Sequence, residues 1–198
     1  DDAFKNDDEK IDAAINWLKK KAPALNQTWS LTVNLINPHF PQYVTKNFWN
    51  MYQDIDDRAE YRRECESANH PYARDLRDHF EADLFTEEQE AGLRKGYLGC
   101  VTYVDQQIGK LLDVLEETGQ LKDTVFIYTS DHGDMLGKFG MWWKCTLYED
   151  SARIPVIVAG SGFVGGGKVT TPVDLLDVQS TIFKATNAIR PEEWSGKP

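Results

Sequence analysis

The stretch from Thr86 to Thr129 limits the possible folds more than any other part of this chain. Thr86-Glu87-Glu88-Gln89 has capping-box spacing, in which a hydroxyl and an amide satisfy each other's backbone N–H groups at a helix start. Leu93, Tyr97, Val101, Val104, Ile108, Leu111, Leu112 and Leu115 then recur at helical spacing, which predicts one helix running to about Glu117. Gly119 suits the left-handed turn that ends a helix. Residues 124–129 (Thr-Val-Phe-Ile-Tyr-Thr) follow as a β-branched and aromatic run. Such a run reads as a central strand of a parallel sheet, buried on both faces. A long amphipathic helix feeding a buried strand points to an α/β fold.

The rest of the chain repeats the alternation. Ile11, Ala14, Ile15 and Leu18 predict a helix over 8–22, with Lys19–Lys21 in its last turn and Pro23 beyond. Residues 29–36 read as a buried strand that breaks at Asn37-Pro38-His39-Phe40-Pro41, where two prolines enforce an irregular loop. Residues 42–85 are the least regular, rich in aromatics and charges, with a turn at Asn69-His70-Pro71; a long loop of this kind is a candidate functional segment. Residues 154–159 read as a second buried strand, Gly160–Gly167 as a flexible surface loop and 174–188 as a final helix. The expected architecture is an α/β sandwich with a mostly parallel sheet.

Composition narrows the function. The 198 residues are 41% hydrophobic, enough for a real core. No run approaches the ~18 apolar residues of a membrane span, so none is expected. The net charge of −10 disfavours nucleic acid as a partner and suits a cation site. Cys65, Cys100 and Cys145 are an odd count without CxxC spacing, which supports neither a disulfide framework nor a structural zinc. The chain opens on Asp1-Asp2-Ala3-Phe4-Lys5 and closes on Gly196-Lys197-Pro198 without a terminating element. Both ends read as cuts from a longer protein.

Sites in open α/β sheets form at the carboxyl ends of strands. Two such ends carry unusual polar groups here. Asp131 and His132 could reach one cation if Gly133 permits a sharp turn; the bland reading is a turn whose Asp caps the next segment. His39 is held between prolines, where a neutral imidazole could act on a leaving-group oxygen or be merely structural. Lys144, in Met141-Trp142-Trp143-Lys144-Cys145, could aim its ammonium into a cleft to pair with an anion, or snorkel over aromatic surface. Cys145 reads as a small core residue and Arg153 as a loop-fixing partner of Glu149 or Asp150. His79 reads as surface, and the sequon Asn26-Gln27-Thr28 says little.

In that order the motifs resemble a known family. Residues 124–137, ending Ser130-Asp131-His132-Gly133-Asp134-Met135-Leu136-Gly137, resemble the second metal motif of the sulfatases, in the alkaline phosphatase superfamily. Trp143-Lys144, Tyr148-Glu149 and the run 151–158 continue the likeness, as do residues 97–105 upstream, the loop 37–41 and residues 172–178. Gly133-Asp134-Met135-Leu136-Gly137, Trp142-Trp143-Lys144 and His70-Pro71 look most like the choline-sulfatase and phosphonate monoester hydrolase branch.

The resemblance implies an alkaline-phosphatase-like α/β sandwich, incomplete at both ends. Residues 1–198 would be the second half of a catalytic domain, without its nucleophile segment and its small C-terminal domain. It implies metal-dependent hydrolysis of a sulfate ester by the parent protein, with negligible turnover by this piece alone. Asp131 and His132 would be ligands of one divalent cation, Ca²⁺ first, with Mn²⁺ or Mg²⁺ as alternatives. Lys144 would neutralise sulfate or phosphate oxygens, and His39 would contact the ester oxygen and assist its departure. No Cys or Ser here stands in the family's Cys/Ser-x-Pro-x-Arg pattern, so the formylglycine nucleophile is expected outside this stretch. Asp1-Asp2 and Asp7-Asp8 follow no apolar strand and do not match the family's paired metal aspartates. The alternatives are a phosphodiesterase or phosphonate monoester hydrolase, or a non-catalytic or truncated member that binds anionic ligands. The expected partner is a small anionic ester, with oligomerisation as one way to cover unpaired strand edges.

Overall fold

The computed structural model describes residues 4–55, 57–66 and 70–198. Asp1 and Asp2, and the Asn69 of the expected turn, lie outside them. The helices are α1 (Lys5–Lys20), α2 (Lys46–Asn50), α3 (Pro71–His79), α4 (Glu87–Glu117), α5 (Glu149–Ala152) and α6 (Leu175–Thr186), with strands β1 (Val125–Thr129) and β2 (Val156–Gly160). They pack as two compact units: one of Asp1–Glu9, Leu35–Gly109 and His132–Pro155, the other of Lys10–Asn34, Lys110–Asp131 and Val156–Pro198.

α4 forms where its signals predict. The Thr86 N–H donates to Gln89 Oε1 at 2.8 Å and the Gln89 N–H to Thr86 Oγ1 at 3.2 Å, which completes the capping box. At the far end Gly119 takes φ +71°, and the Gln120 N–H reaches back to the Leu115 carbonyl at 2.8 Å. The buried stripe is rotated from the expected one: Cys100, Tyr103, Val104, Gln107, Leu111, Val114 and Leu115 are buried, whereas Val101 is 41% exposed. Small residues explain the rotation. A Cβ on Gly96 would lie 2.6 Å from the Gln42 carbonyl oxygen, so the segment after the proline loop lies directly on the helix backbone. Cys100 faces the same segment, its thiol 3.8 Å from the Tyr43 carbonyl. Burial pushes that thiol up to about 12, with the charge of Asp7 adding to the effect, so it is inert.

In the second unit α1 and α4 contribute Ile11, Ala14, Leu18, Leu111, Val114 and Leu115 to the core. β1 and β2 pair antiparallel, Val125 opposite Gly160 and Thr129 opposite Val156. The mostly parallel sheet expected around residues 124–129 is thus not seen in this ladder, which is antiparallel. An apolar run reports burial on both faces, and all of β1 is half-buried; it carries no information on strand direction. Residues 29–36 form no ladder, although Trp29, Leu31, Val33 and Leu35 are half-buried and Ser30, Thr32, Asn34 and Ile36 exposed. The period of two is that of a strand. α6 opens on a capping box, with Asp174 accepting from Leu176 and Asp177.

The first unit carries the loops. Met135, Met141 and Ala73 are buried together, with Phe139 and Tyr148 packed against them. The described residues of the irregular region contribute α2, α3 and a buried ion pair, more regular structure than their sequence suggests. Among the described residues, no helix is long and apolar enough to cross a membrane.

Candidate active site

Two loops of the first unit bring His39 and Lys144 together. The His39 loop is pinned from below by Asp7, a carboxylate 1% exposed. Asp7 accepts from the Ile36 N–H at 2.9 Å, the Asn37 N–H at 3.0 Å and the Asn37 side-chain amide at 2.8 Å. Asp8 accepts from the Tyr103 hydroxyl at 2.9 Å. The acids at 7 and 8 thus hold structure. The His39 N–H closes a turn onto the Ile36 carbonyl at 2.9 Å. His39 Nδ1 lies 2.6 Å from the Phe40 carbonyl. A carbonyl only accepts, so Nδ1 carries the proton and Nε2 is the nitrogen that faces outward.

That Nε2 meets the Lys144 ammonium directly. Lys144 is half-buried and also lies 5.2 Å from the Phe40 ring centre. The ammonium thus lies against the His39 and Phe40 rings. Phe40 and Trp143 stand 4.9 Å apart, and Phe80 meets Trp143 at 4.9 Å edge to face, which walls one side of the pair. The His39 and His132 rings are 5.6 Å apart.

His132 Nδ1 lies 2.8 Å from the Gly133 carbonyl, which again fixes the proton on Nδ1 and leaves the lone pair on Nε2. That is the orientation a metal-binding imidazole needs. Asp131 is exposed and follows β1 in the other unit. A carboxylate and an oriented imidazole are fitting donors for a divalent cation, but two donors do not fill its shell. Among the described residues, no group of three or more His, Cys, Asp or Glu is gathered as a metal site.

Gly133 plays a different part from the one expected. It is not among the residues with positive φ. Instead its N–H donates to the Ser151 carbonyl at 2.7 Å, and a Cβ there would lie 2.0 Å from the Asp150 carbonyl oxygen. We expect Gly133→Ala to destabilise the unit by about 1–3 kcal/mol, as overpacking does, because the backbone of α5 must move away. Urea unfolding measures this; a loss below the error of the method would mean the approach is not tight.

Asp134 ties the second loop. Its Oδ1 accepts from the Leu136 N–H at 3.0 Å and the Trp143 N–H at 3.1 Å. Burial pushes its carboxyl above the ordinary range, although those N–H groups and the imidazoles of His132 and His39 pull it down. Asp150 pairs with Lys138 at 2.7 Å, while Arg153 pairs with Glu149 at 3.5 Å across exposed surface.

Cys145 is exposed at φ +75°, which corrects the expectation of a core residue. The left-handed turn there leaves it on the surface, and its carbonyl accepts from the Tyr72 hydroxyl at 2.6 Å. That bond brings the start of α3, capped by His70 through the Tyr72 N–H at 3.2 Å, beside the Lys144 loop. His79 is exposed, as expected.

Sequence reasoning missed a buried network in the irregular region. Arg77, 1% exposed, donates to Glu66 at 3.0 Å and to the Phe139 carbonyl at 3.1 Å, and Glu66 also accepts from the Tyr148 hydroxyl. No periodicity could have flagged it, because the partners come from three separate segments. The cavity of about 220 Å³ lined by Arg58, Arg62, Arg63, Arg94 and Trp142 includes neither His39 nor Lys144, and its arginines are taken up in ion pairs with Asp57, Asp83 and Glu87.

This fold and these loops place the chain in a class: it belongs to the sulfatase family, whose sequence profile matches residues 3–188. Sulfatases generally use a divalent metal ion and a formylglycine. The chain is similar to a choline-sulfatase of Rhizobium meliloti, at 35% identity over 78% of this chain and 30% of that protein. An arylsulfatase of Clostridium perfringens is 26% identical over 94% of this chain and 39% of its own length. Among solved structures, a phosphonate monoester hydrolase from Silicibacter pomeroyi superposes with a TM-score of 0.83 at 29% identity, over 95% of this chain and 40% of that one. The chain thus spans between three tenths and two fifths of the length of these relatives.

Proposed function

We propose that the protein carrying this chain hydrolyses sulfate esters, and that residues 1–198 form the second half of its catalytic domain. The observation that carries the reading is the contact of the Lys144 ammonium with His39 Nε2, in a chain of the sulfatase family. Sulfuryl transfer spreads negative charge over the ester's oxygens, and a fixed cation in a half-buried loop stabilises it. Lys144 supplies that charge. His39, with Nδ1–H fixed on the Phe40 carbonyl, has a lone pair at Nε2. Nε2 takes up a proton from the Lys144 ammonium in contact with it and passes it to the departing oxygen as the S–O bond breaks, and Lys144 is reprotonated from solvent. Phe40, Phe80 and Trp143 shield the pair from water, which strengthens both effects.

Asp131 and His132 would hold the divalent cation, Ca²⁺ in this reading, with further donors from outside this stretch of the protein. When bound, the ion adds positive charge at the ester's oxygens. The nucleophile in this reading is a formylglycine outside this stretch.

The experiment compares the intact protein on matched aryl sulfate, aryl phosphonate and aryl phosphodiester substrates. The sulfate is expected to turn over with the highest kcat/KM. The resemblance to the Silicibacter pomeroyi hydrolase fits a second reading as a phosphodiesterase or phosphonate monoester hydrolase, and preference for the phosphonate or phosphodiester would establish it. Turnover of none of the three, with tight sulfate binding, would point to a non-catalytic anion-binding member. Residues 1–198 expressed alone are expected to show no turnover.

A further inference from the structure

We propose that Asp134 is a positioning residue for Lys144. Lys144 sits between two residues in the left-handed region, Trp143 at φ +65° and Cys145 at φ +75°. Side chains of this kind rarely adopt that conformation, so bonds from outside must hold it. Three such bonds are present. The Trp143 N–H donates to Asp134 Oδ1 at 3.1 Å, the Trp143 carbonyl accepts from the Met135 N–H at 2.7 Å, and the Cys145 carbonyl accepts from the Tyr72 hydroxyl at 2.6 Å.

The first of these is the one made by a carboxyl side chain. The same Oδ1 also accepts from the Leu136 N–H, and Leu136 is a third left-handed residue, at φ +46°. One oxygen therefore fixes both arms of the loop 134–143, and the Gly137 N–H to Met141 carbonyl bond at 2.9 Å closes it further on. The direction in which the chain leaves Trp143 sets where the Lys144 side chain starts. From there it reaches His39 Nε2. Asp134 acts through this backbone and touches no reacting atom.

The assignment rests on the sulfate-ester reading for what Lys144 does, and on geometry alone for where Lys144 is held. Its test therefore uses no turnover. The intact protein and its Asp134→Ala and Asp134→Asn variants are reductively methylated for short times, and each lysine is quantified by mass spectrometry. Lys138, on the same loop, and exposed Lys122 are internal references.

In Asp134→Ala the Lys144 amine is expected to be freed from His39 and to label at least fivefold faster relative to Lys138 and Lys122. Asp134→Asn keeps an oxygen acceptor for both N–H groups and is expected to stay within twofold of the parent ratio. A parent-like ratio in Asp134→Ala, or an equal rise at all three lysines, overturns the proposal. So does a fivefold change in Asp134→Asn, which keeps the test decisive even if the alanine variant does not fold. The expected labelling in a protein without sulfate-ester turnover would overturn the functional reading and leave the positioning role standing.

Discussion

Lys144→Ala is expected to lower kcat/KM for an aryl sulfate by about 10²–10³-fold in the intact protein, the usual consequence of removing one preorganised donor from a developing oxyanion. The side chain is half-buried, faces His39 Nε2 and lies over the Phe40 ring, so its charge acts where water screens little. Lys144→Arg should recover only part of the loss. A planar guanidinium keeps the charge but does not fit the space of a compact ammonium between an imidazole and a phenyl ring. Steady-state kinetics with a chromogenic sulfate reads the effect, and circular dichroism checks the fold. Activity within threefold of the parent in the alanine variant would remove Lys144 from the chemistry, and the functional reading with it.

The second large effect concerns stability. Arg77→Met is expected to cost about 3–5 kcal/mol, because it leaves the buried Glu66 carboxylate without its cation. Replacing both partners, as in Arg77→Met with Glu66→Leu, should cost distinctly less than the single change, since no uncompensated charge then remains.

The pair also predicts a pH dependence. Burial raises the Glu66 carboxyl, but the hydrogen bonds from Tyr148 and Arg77 and the charge of Arg77 outweigh it and hold the group below its ordinary value. A depressed carboxyl contributes stability that is present above its unfolded value, about 4.3, and lost as pH falls through the lower folded value. Urea unfolding at pH 7 and at steps below pH 5 should show that loss in the parent protein and a weaker one in the double variant. A single variant as stable as the parent would mean that the network does not hold Glu66 and α3 to the loop of residues 138–148.

His39, Lys144, Asp131 and His132 were singled out by local signals: bounding prolines, flanking tryptophans and the end of an apolar run. Asp134 lay inside the same motif but gave no sign of a task, because its partners, the N–H groups of Leu136 and Trp143, are backbone and invisible to residue type. In the sequence Asp7 is only one of two adjacent acids. Its actual partners, Ile36 and Asn37, lie 29 and 30 residues away.

The sequence by itself determined the elements with local causes. The capping box at Thr86, the stop at Gly119 and the amphipathic spacing of α1 act over a few residues, where intrinsic propensity and hydrogen bonding to neighbours decide. It also carried the family, through motifs kept in order along the chain. Only the tertiary structure decided which face of α4 is buried, the antiparallel sense of β1 and β2, the Arg77–Glu66 pair and the meeting of His39 with Lys144. Each of those depends on groups far apart in the chain approaching within a few ångströms. Such contacts follow from packing and loop closure, which no local pattern of residues encodes.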